Sequence, residues 1–329
     1  MAANPQAESQ SIAGRIEAIR RLAADNPLLV LVGLLLVLMV ITNFVSPGFL
    51  LPGNFSTTLL IAGPMGLLTA GQTVVILTGG IDLSTTSTAT IAAYCLVQYG
   101  GAHPLLAVLG ALGIGMVIGL INGIGVGPFG VPPLIMTLGM SGIITGLLTV
   151  WAANTSNIPT IPDAVRQAGS GKWLTYIPID VVLWAALTVV LLVLLRGSGF
   201  GRAVYAVGAN PVASRLAGIR NWQVLLAVYT LCGLLSAAAG ILLAGQLGGV
   251  DTSLAASFLL PSVAAVVIGG TSILGGSGGY GGSIVGVLIL TVLEALLILL
   301  HMAEALRQVL YGVIVLGLAW IYARTAGGD

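Results

Sequence analysis

Two glycine-rich stretches carry residue types that cradle phosphates, and both fail on spacing or context. Gly276-Ser277-Gly278-Gly279-Tyr280-Gly281 satisfies G-x-G-x-x-G after a β-branched run. A dinucleotide fold needs that loop among alternating strands and soluble helices, whereas its neighbours here are apolar runs of membrane length. A tight cytoplasmic turn is the expected structure. Gly169-Ser170-Gly171-Lys172 resembles the end of a phosphate-binding loop, but Arg166 stands where its first glycine belongs and Trp173 replaces the magnesium-holding Ser/Thr. The histidines, His103 and His301, have no second ligand at metal spacing. No catalytic residue, metal or bound cofactor is therefore assigned to this chain. If ATP and magnesium drive its work, they act on a separate polypeptide.

The remaining chemistry is that of polar groups placed in apolar sequence. Glu294 lies inside such a run, where a carboxylate costs about 2.5–3.5 kcal/mol on insertion scales. It is a functional candidate, with a protonated or hydrogen-bonded helix-interface residue as the equal alternative. Asp82, in Gly79-Gly80-Ile81-Asp82-Leu83-Ser84, stands where a carboxylate caps the exposed N–H groups of a helix start. Capping is preferred there over a proton relay. Gln72, Thr73, Asn122, Ser141 and Thr145 supply neutral hydrogen-bonding groups for a polar solute path, although each taken singly also serves as interhelical glue. Cys95 and Cys232 fall in apolar runs and read as small buried hydrophobes rather than a disulfide.

A third feature is electrostatic. The segment from Arg196 to Arg220 holds four arginines and no acidic residue. Asn210 is a good N-cap, Pro211 suits the first helical turn, and Gly218 suits the left-handed residue that ends a helix. Between them fits a short amphipathic helix, with Val212 and Leu216 on one face and Ser214 and Arg215 elsewhere. A rigid, capped helix held outside the membrane is a handle for a partner.

The elements that position these groups must be membrane helices. The chain is 57% hydrophobic and only 6% charged, with a mean hydropathy of +1.09, against about 25% charged residues in a soluble domain. The net charge of +1 says nothing about a nucleic-acid partner, and with no basic patch beyond the membrane-flanking loops none is expected. About ten spans are expected, near 27–45, 57–79, 84–100, 104–126, 132–152, 178–196, 223–247, 258–275, 282–300 and 306–323. Glycine pairs within 57–100 and 258–282 mark possible broken or re-entrant helices. The first run is too long for a signal-peptide core and lacks an A-x-A-like exit, so it is read as an uncleaved span.

Placing the N-terminus inside collects Arg15, Arg20, Arg21, Arg196, Arg202, Arg215, Arg220 and Arg324 on the cytoplasmic side. Arg166, Lys172 and Arg307 remain opposite, which fits an even number of spans, eight or ten, with both termini cytoplasmic. The organisation is a cytoplasmic segment 1–26, with a surface helix at 14–24, then one transmembrane domain 27–323 and a tail 324–329. The domain includes a cytoplasmic loop at 197–222. Gly115, Gly119, Gly123 and Gly127 form a G-x-x-x-G stripe, read as internal packing before a dimer interface. Val74-Val75-Ile76-Leu77-Thr78-Gly79-Gly80 is echoed by Val266-Val267-Ile268-Gly269-Gly270, a hint of duplication.

Four stretches together resemble the permeases of ribose-type ABC importers. They are Gly71 to Ser84, Pro132-Pro133-Leu134-Ile135-Met136-Thr137-Leu138-Gly139, the loop Gly201 to Ile219, and Ala264 to Gly276, in the order that family has them. The resemblance implies an all-α, type II-like importer bundle in the bacterial cytoplasmic (inner) membrane. It also implies three partners: a second permease chain, identical or related, a cytoplasmic ABC ATPase, and a periplasmic or lipid-anchored solute-binding protein. The binding protein would dock on outer loops including 153–177 and 248–257. Gly201, Arg202, Gly208, Asn210, Pro211, Ala213, Arg215, Leu216 and Gly218 then belong to the loop that docks on the ATPase. Gly79, Gly80, Asp82, Ser84, Gly269 and Gly270 are its structural motif residues. Such permeases import pentoses, hexoses and furanosyl signals, and relatives carry nucleosides. The chain departs from the pattern at Phe258-Leu259-Leu260-Pro261, where many members have acidic residues, and at Thr85-Thr86 in place of Val-Gly. Both departures bear on substrate identity. A monosaccharide importer permease is the expected function. The alternatives are a nucleoside or other polar solute by the same mechanism, or an ion-coupled carrier built on Glu294. A membrane-embedded enzyme would need a paired acid/base or a metal cluster.

Overall fold

The chain was analysed as a computed structural model that describes residues 27–154 and 160–326. The expected surface helix at 14–24, the whole segment 1–26 expected to be cytoplasmic, residues 155–159 of the expected outer loop 153–177 and the last three tail residues lie outside them. The helices run α1 Pro27–Val45, α2 Pro52–Leu59, α3 Ala62–Leu77, α4 Thr85–Tyr99, α5 Pro104–Val126, α6 Pro133–Ala153 and α7 Asp163–Ser170. A two-residue hairpin, β1 Lys172–Trp173 against β2 Ile177–Pro178, leads to α8 Ile179–Gly197. There follow α9 Gly199–Ala209, α10 Pro211–Leu216, α11 Asn221–Leu247, α12 Leu259–Ile268, α13 Tyr280–Leu299 and α14 Glu304–Ala326. Proline opens α2, α5, α6 and α10, where its missing N–H has no partner to lose.

Every residue of α3 is buried, and α11, α12, α13 and α8 surround it. Polar groups point inward, with Gln72, Thr73, Asp82, Asn122, Thr137 and Asp180 all buried, while α1, α6 and α14 expose leucine, isoleucine and valine. Such a distribution suits a bundle whose outer solvent is hydrocarbon. Among the described residues, seven helical stretches are long and apolar enough to cross a membrane.

The expected spans need three revisions. The run at 57–79 starts earlier and is two helices, α2 and α3, broken at Leu60 and Ile61. The run at 84–100 is a helix of 15 residues. The run at 258–275 is helical only to Ile268, because Gly270 takes a left-handed φ of +82° and turns the chain away. Glycine also ends α3, with Gly79 at φ +81°. The two ends share a bonding scheme: Gly79 N–H donates to Ile76 O and Gly80 N–H to Val75 O, as Gly270 donates to Val267 O and Thr271 to Val266 O. The sequence echo is thus a repeated helix stop, in which Gly79 matches Gly270.

The glycine stripe of α5 packs inside the chain, as expected. Gly115 faces the Gly233 carbonyl and Ala237, Gly119 the Tyr229 carbonyl, Gly123 the backbone of Leu226, and Gly127 that of Trp222, all on α11. A methyl group at Gly119 would collide with backbone, whereas one at Gly113, on the same helix, meets nothing within 4 Å. Gly119→Ala should therefore lower stability by about 1–3 kcal/mol. Gly113→Ala should be neutral or slightly stabilising. Thermal unfolding of both variants in detergent checks the contrast.

Candidate functional site

Between α3 and α4 the chain leaves helical geometry while Gly80, Asp82 and Ser84 stay buried, and their backbone groups need partners there. Gln72, fully buried one and a half turns before the end of α3, supplies two. Its Nε2 donates to the Asp82 carbonyl at 2.6 Å, and its Oε1 accepts from Asp82 N–H at 3.3 Å. Thr137 of α6 accepts from Leu83 N–H at 3.0 Å and reaches the Ile81 carbonyl at 3.3 Å. Asp82 Oδ1 accepts from Ser84 N–H at 2.8 Å and from Ser84 Oγ at 2.6 Å. The carboxylate thus orders the turn that enters α4, one step ahead of the helix it was expected to cap. Asn122 of α5 donates to Ser84 Oγ at 2.8 Å. Ser87 joins the Ser84 carbonyl, at 3.0 Å, to Ser141 Oγ on α6, at 3.3 Å.

The six path candidates therefore do not form one lining. Gln72 and Asn122 are engaged in holding the loop, and Ser141 touches its edge through Ser87. Thr73 faces elsewhere, donating to the Thr69 carbonyl with Ser283 Oγ on α13 at 3.0 Å. Thr145 is exposed on α6 and bonds the Ser141 carbonyl. Glu294 lies on α13 and pairs with Arg307 of α14 at 3.3 Å, both side chains about four-fifths buried. The helix-interface reading of Glu294 describes this geometry.

The arginine-bearing loop folds as a capped pair of helices. Ser198 Oγ accepts from Gly201 N–H at 3.2 Å to start α9, and Gly201 packs on the Leu195 backbone too closely for a side chain. Asn210 stops α9 in an extended conformation, and its Oδ1 accepts from Val212 and Ala213 N–H, both at 3.0 Å. Arg215 Nε and Asn221 Nδ2 both donate to the Pro211 carbonyl, at 3.2 and 2.8 Å, tying α10 to the start of α11. Gly218, at φ +84°, closes the helix. Arg202 is exposed on α9, and Val212 and Leu216 on α10 are 58% and 86% exposed. Gly208 sits against the Leu77 carbonyl, and Gly269 against Gly282 and Ser283.

Sequence reasoning missed a second polar centre. Asp180, in the first turn of α8, is fully buried and accepts from Gln246 Nε2 at 3.0 Å. Gln246 also donates to the Leu60 carbonyl, at 2.7 Å, where α2 and α3 part. Trp184 Nε1 donates to Tyr280 Oη at 2.8 Å. The only available signal was an aspartate, a glutamine and a tyrosine at the ends of apolar runs. Thr137 was also missed, although it lies in a quoted motif.

The chain belongs to the family described as "Branched-chain amino acid transport system / permease component", which it matches over residues 54–319, from α2 into α14. It is a multi-pass inner-membrane permease component, a transport subunit rather than an enzyme. The ribose import permease protein of Bacillus subtilis is 35% identical over 285 residues, covering 86% of this chain and 88% of that protein. The fructose import permease protein of Rhizobium meliloti is 33% identical, covering 78% and 75%. An autoinducer 2 import system permease protein of Salmonella typhi is 33% identical, covering 76% and 72%. No solved structure matches the chain.

Two substitutions test the site geometry. Gln72→Leu strands buried backbone groups of Asp82 and should cost on the order of 2–4 kcal/mol, read as a lowered melting temperature in detergent. Glu294→Ala leaves Arg307 without its partner and should cost about 1–3 kcal/mol. The double variant Glu294→Ala/Arg307→Leu should recover most of that loss in the same melt.

Proposed function

We propose that this chain is the membrane-spanning permease subunit of an ATP-driven, binding-protein-dependent importer of a monosaccharide, of the pentose or hexose class. The observation that carries the reading is similarity along most of both chains to import permeases of ribose and fructose. The family description names amino acids, but these relatives are named for sugars.

Ten segments cross the membrane in this reading, with α4, α12 and α14 adding three passes to the seven long apolar ones and both termini in the cytoplasm. The arginine asymmetry, which fits an even number of passes, supports it. A cytoplasmic ABC ATPase, carrying ATP and magnesium, docks on α10. A second permease chain completes the pathway, and a solute-binding protein docks on the outer loops including 153–177 and 248–257. ATP binding moves α10 as a rigid lever, and the bundles rock between outward-open and inward-open states. Specificity resides mainly in the binding protein, since a tight site in the permease would slow release. Thr145, exposed on α6, and the half-buried Ser141 one turn before it are the best placed of the candidates to meet solute. An ion-coupled carrier would require Glu294 to cycle its proton freely, which its pairing with Arg307 opposes.

Leu216→Asp places a charge on the most exposed apolar position of α10. Transport in proteoliposomes should fall at least about tenfold, as at an interface hot spot, while the chain stays folded. Wild-type transport by this variant would remove α10 as the docking helix. Gentle solubilisation should co-purify a stoichiometric ABC ATPase, and the binding protein recovered with it should bind a pentose or hexose.

A further inference from the structure

At the arginine-bearing end, three segments meet through backbone, with almost no side chain between them. The carbonyl of Leu77, at the end of α3, accepts from Gly276 N–H at 3.0 Å. Gly208, in the last turn of α9, lies so close to that carbonyl and to Gly276 N that a methyl group there would collide with both. Gly275 is also tight: an added carbon would stand 2.7 Å from Gly79 N and 3.2 Å from Gly208 O. Gly276 faces Ala209. One turn earlier on the same face of α9, Tyr205 Oη donates to the Gly278 carbonyl at 3.1 Å. Burial pushes the Tyr205 phenol up from its ordinary value, with Arg196 pulling the other way.

The loop that α9 grips is itself closed. Ser272 N–H donates to Ser277 O at 3.1 Å, and Gly279 N–H to Thr271 Oγ1 at 3.2 Å. It follows directly from the glycine stop of α12, as Gly79 follows α3. Only Asn210 separates α9 from α10, and it is bonded on both sides: its N–H donates to Ala206 O at 3.1 Å while its side chain caps α10. Close-packed backbone transmits displacement, since it has no rotamers with which to absorb it.

We propose that the last turn of α9 is the transmission element of the permease: it clamps the broken ends of α3 and α12 together, so that displacement of α10 moves both as one body. Gly208 and Tyr205 are its positioning residues, the first by allowing backbone contact with Leu77 and Gly276 and the second by bonding the same loop at Gly278. The inference rests on α10 being the ATPase-docking helix.

Tyr205→Phe removes one hydroxyl and leaves the exposed face of α10 unchanged. In proteoliposomes containing permease, ATPase and binding protein, ATP hydrolysis should persist while solute moved per ATP falls roughly fivefold, the effect of one net hydrogen bond. Gly208→Ala should lower that ratio further. Spin labels at Thr78→Cys and Leu274→Cys should keep the same separation in nucleotide-free and ATP-bound complexes. A wild-type ratio for Tyr205→Phe, or a change in label separation between states, overturns the clamp. If Leu216→Asp uncouples in the same assay, α10 keeps its docking role and only the clamp fails. If Leu216→Asp has no effect, the docking reading itself falls.

Discussion

Backbone that leaves a helix inside a membrane bundle must still satisfy its N–H and C=O groups, and no water is on hand to do it. The loop between α3 and α4 meets that demand through side chains of three other segments. Gln72 reaches back from α3, Thr137 comes from α6, and Asn122 from α5 steadies the serine that Asp82 has oriented. Removing any one would leave a buried polar group stranded. Helices α3, α4, α5 and α6 are thereby fixed around one short stretch of unwound chain.

Glycine does the complementary work. Along α5 it brings the backbone onto α11, so the two longest-packed helices behave as one slab. At Gly79 and Gly270 it permits the left-handed turn that stops a helix within the bundle. At Gly208, Gly275 and Gly276 it lets three backbones touch. Side-chain hydrogen bonds fix the static loop, and bare backbone connects it to the arginine-bearing helices α9 and α10.

Much of this was legible in the sequence, because the signals were local. The Asn210 cap, Pro211 and Gly218 each have a fixed position in helix-end chemistry, and the short helix between them has that form. The Gly115–Gly127 period placed a close helix contact, though not its partner. What local patterns could not show was three-dimensional accounting. Nothing near Gln72 in the chain says that its amide serves residue 82, and nothing near Asp180 points to Gln246, 66 positions away. Hydropathy likewise overran Ile268, because it weighs the apolar residues on either side of a glycine pair and is blind to the turn.

Leu216 shows what the unassembled subunit faces. Two apolar side chains, Val212 and Leu216, stand 58% and 86% open on one short capped helix. Their neighbours on α10 are fastened to Asn210 and Asn221, so the pair cannot fold away. If α10 is the docking helix proposed above, permease made in excess of its partner would leave Val212 and Leu216 uncovered. Balanced synthesis of the subunits is, on this view, a requirement written into a six-residue helix.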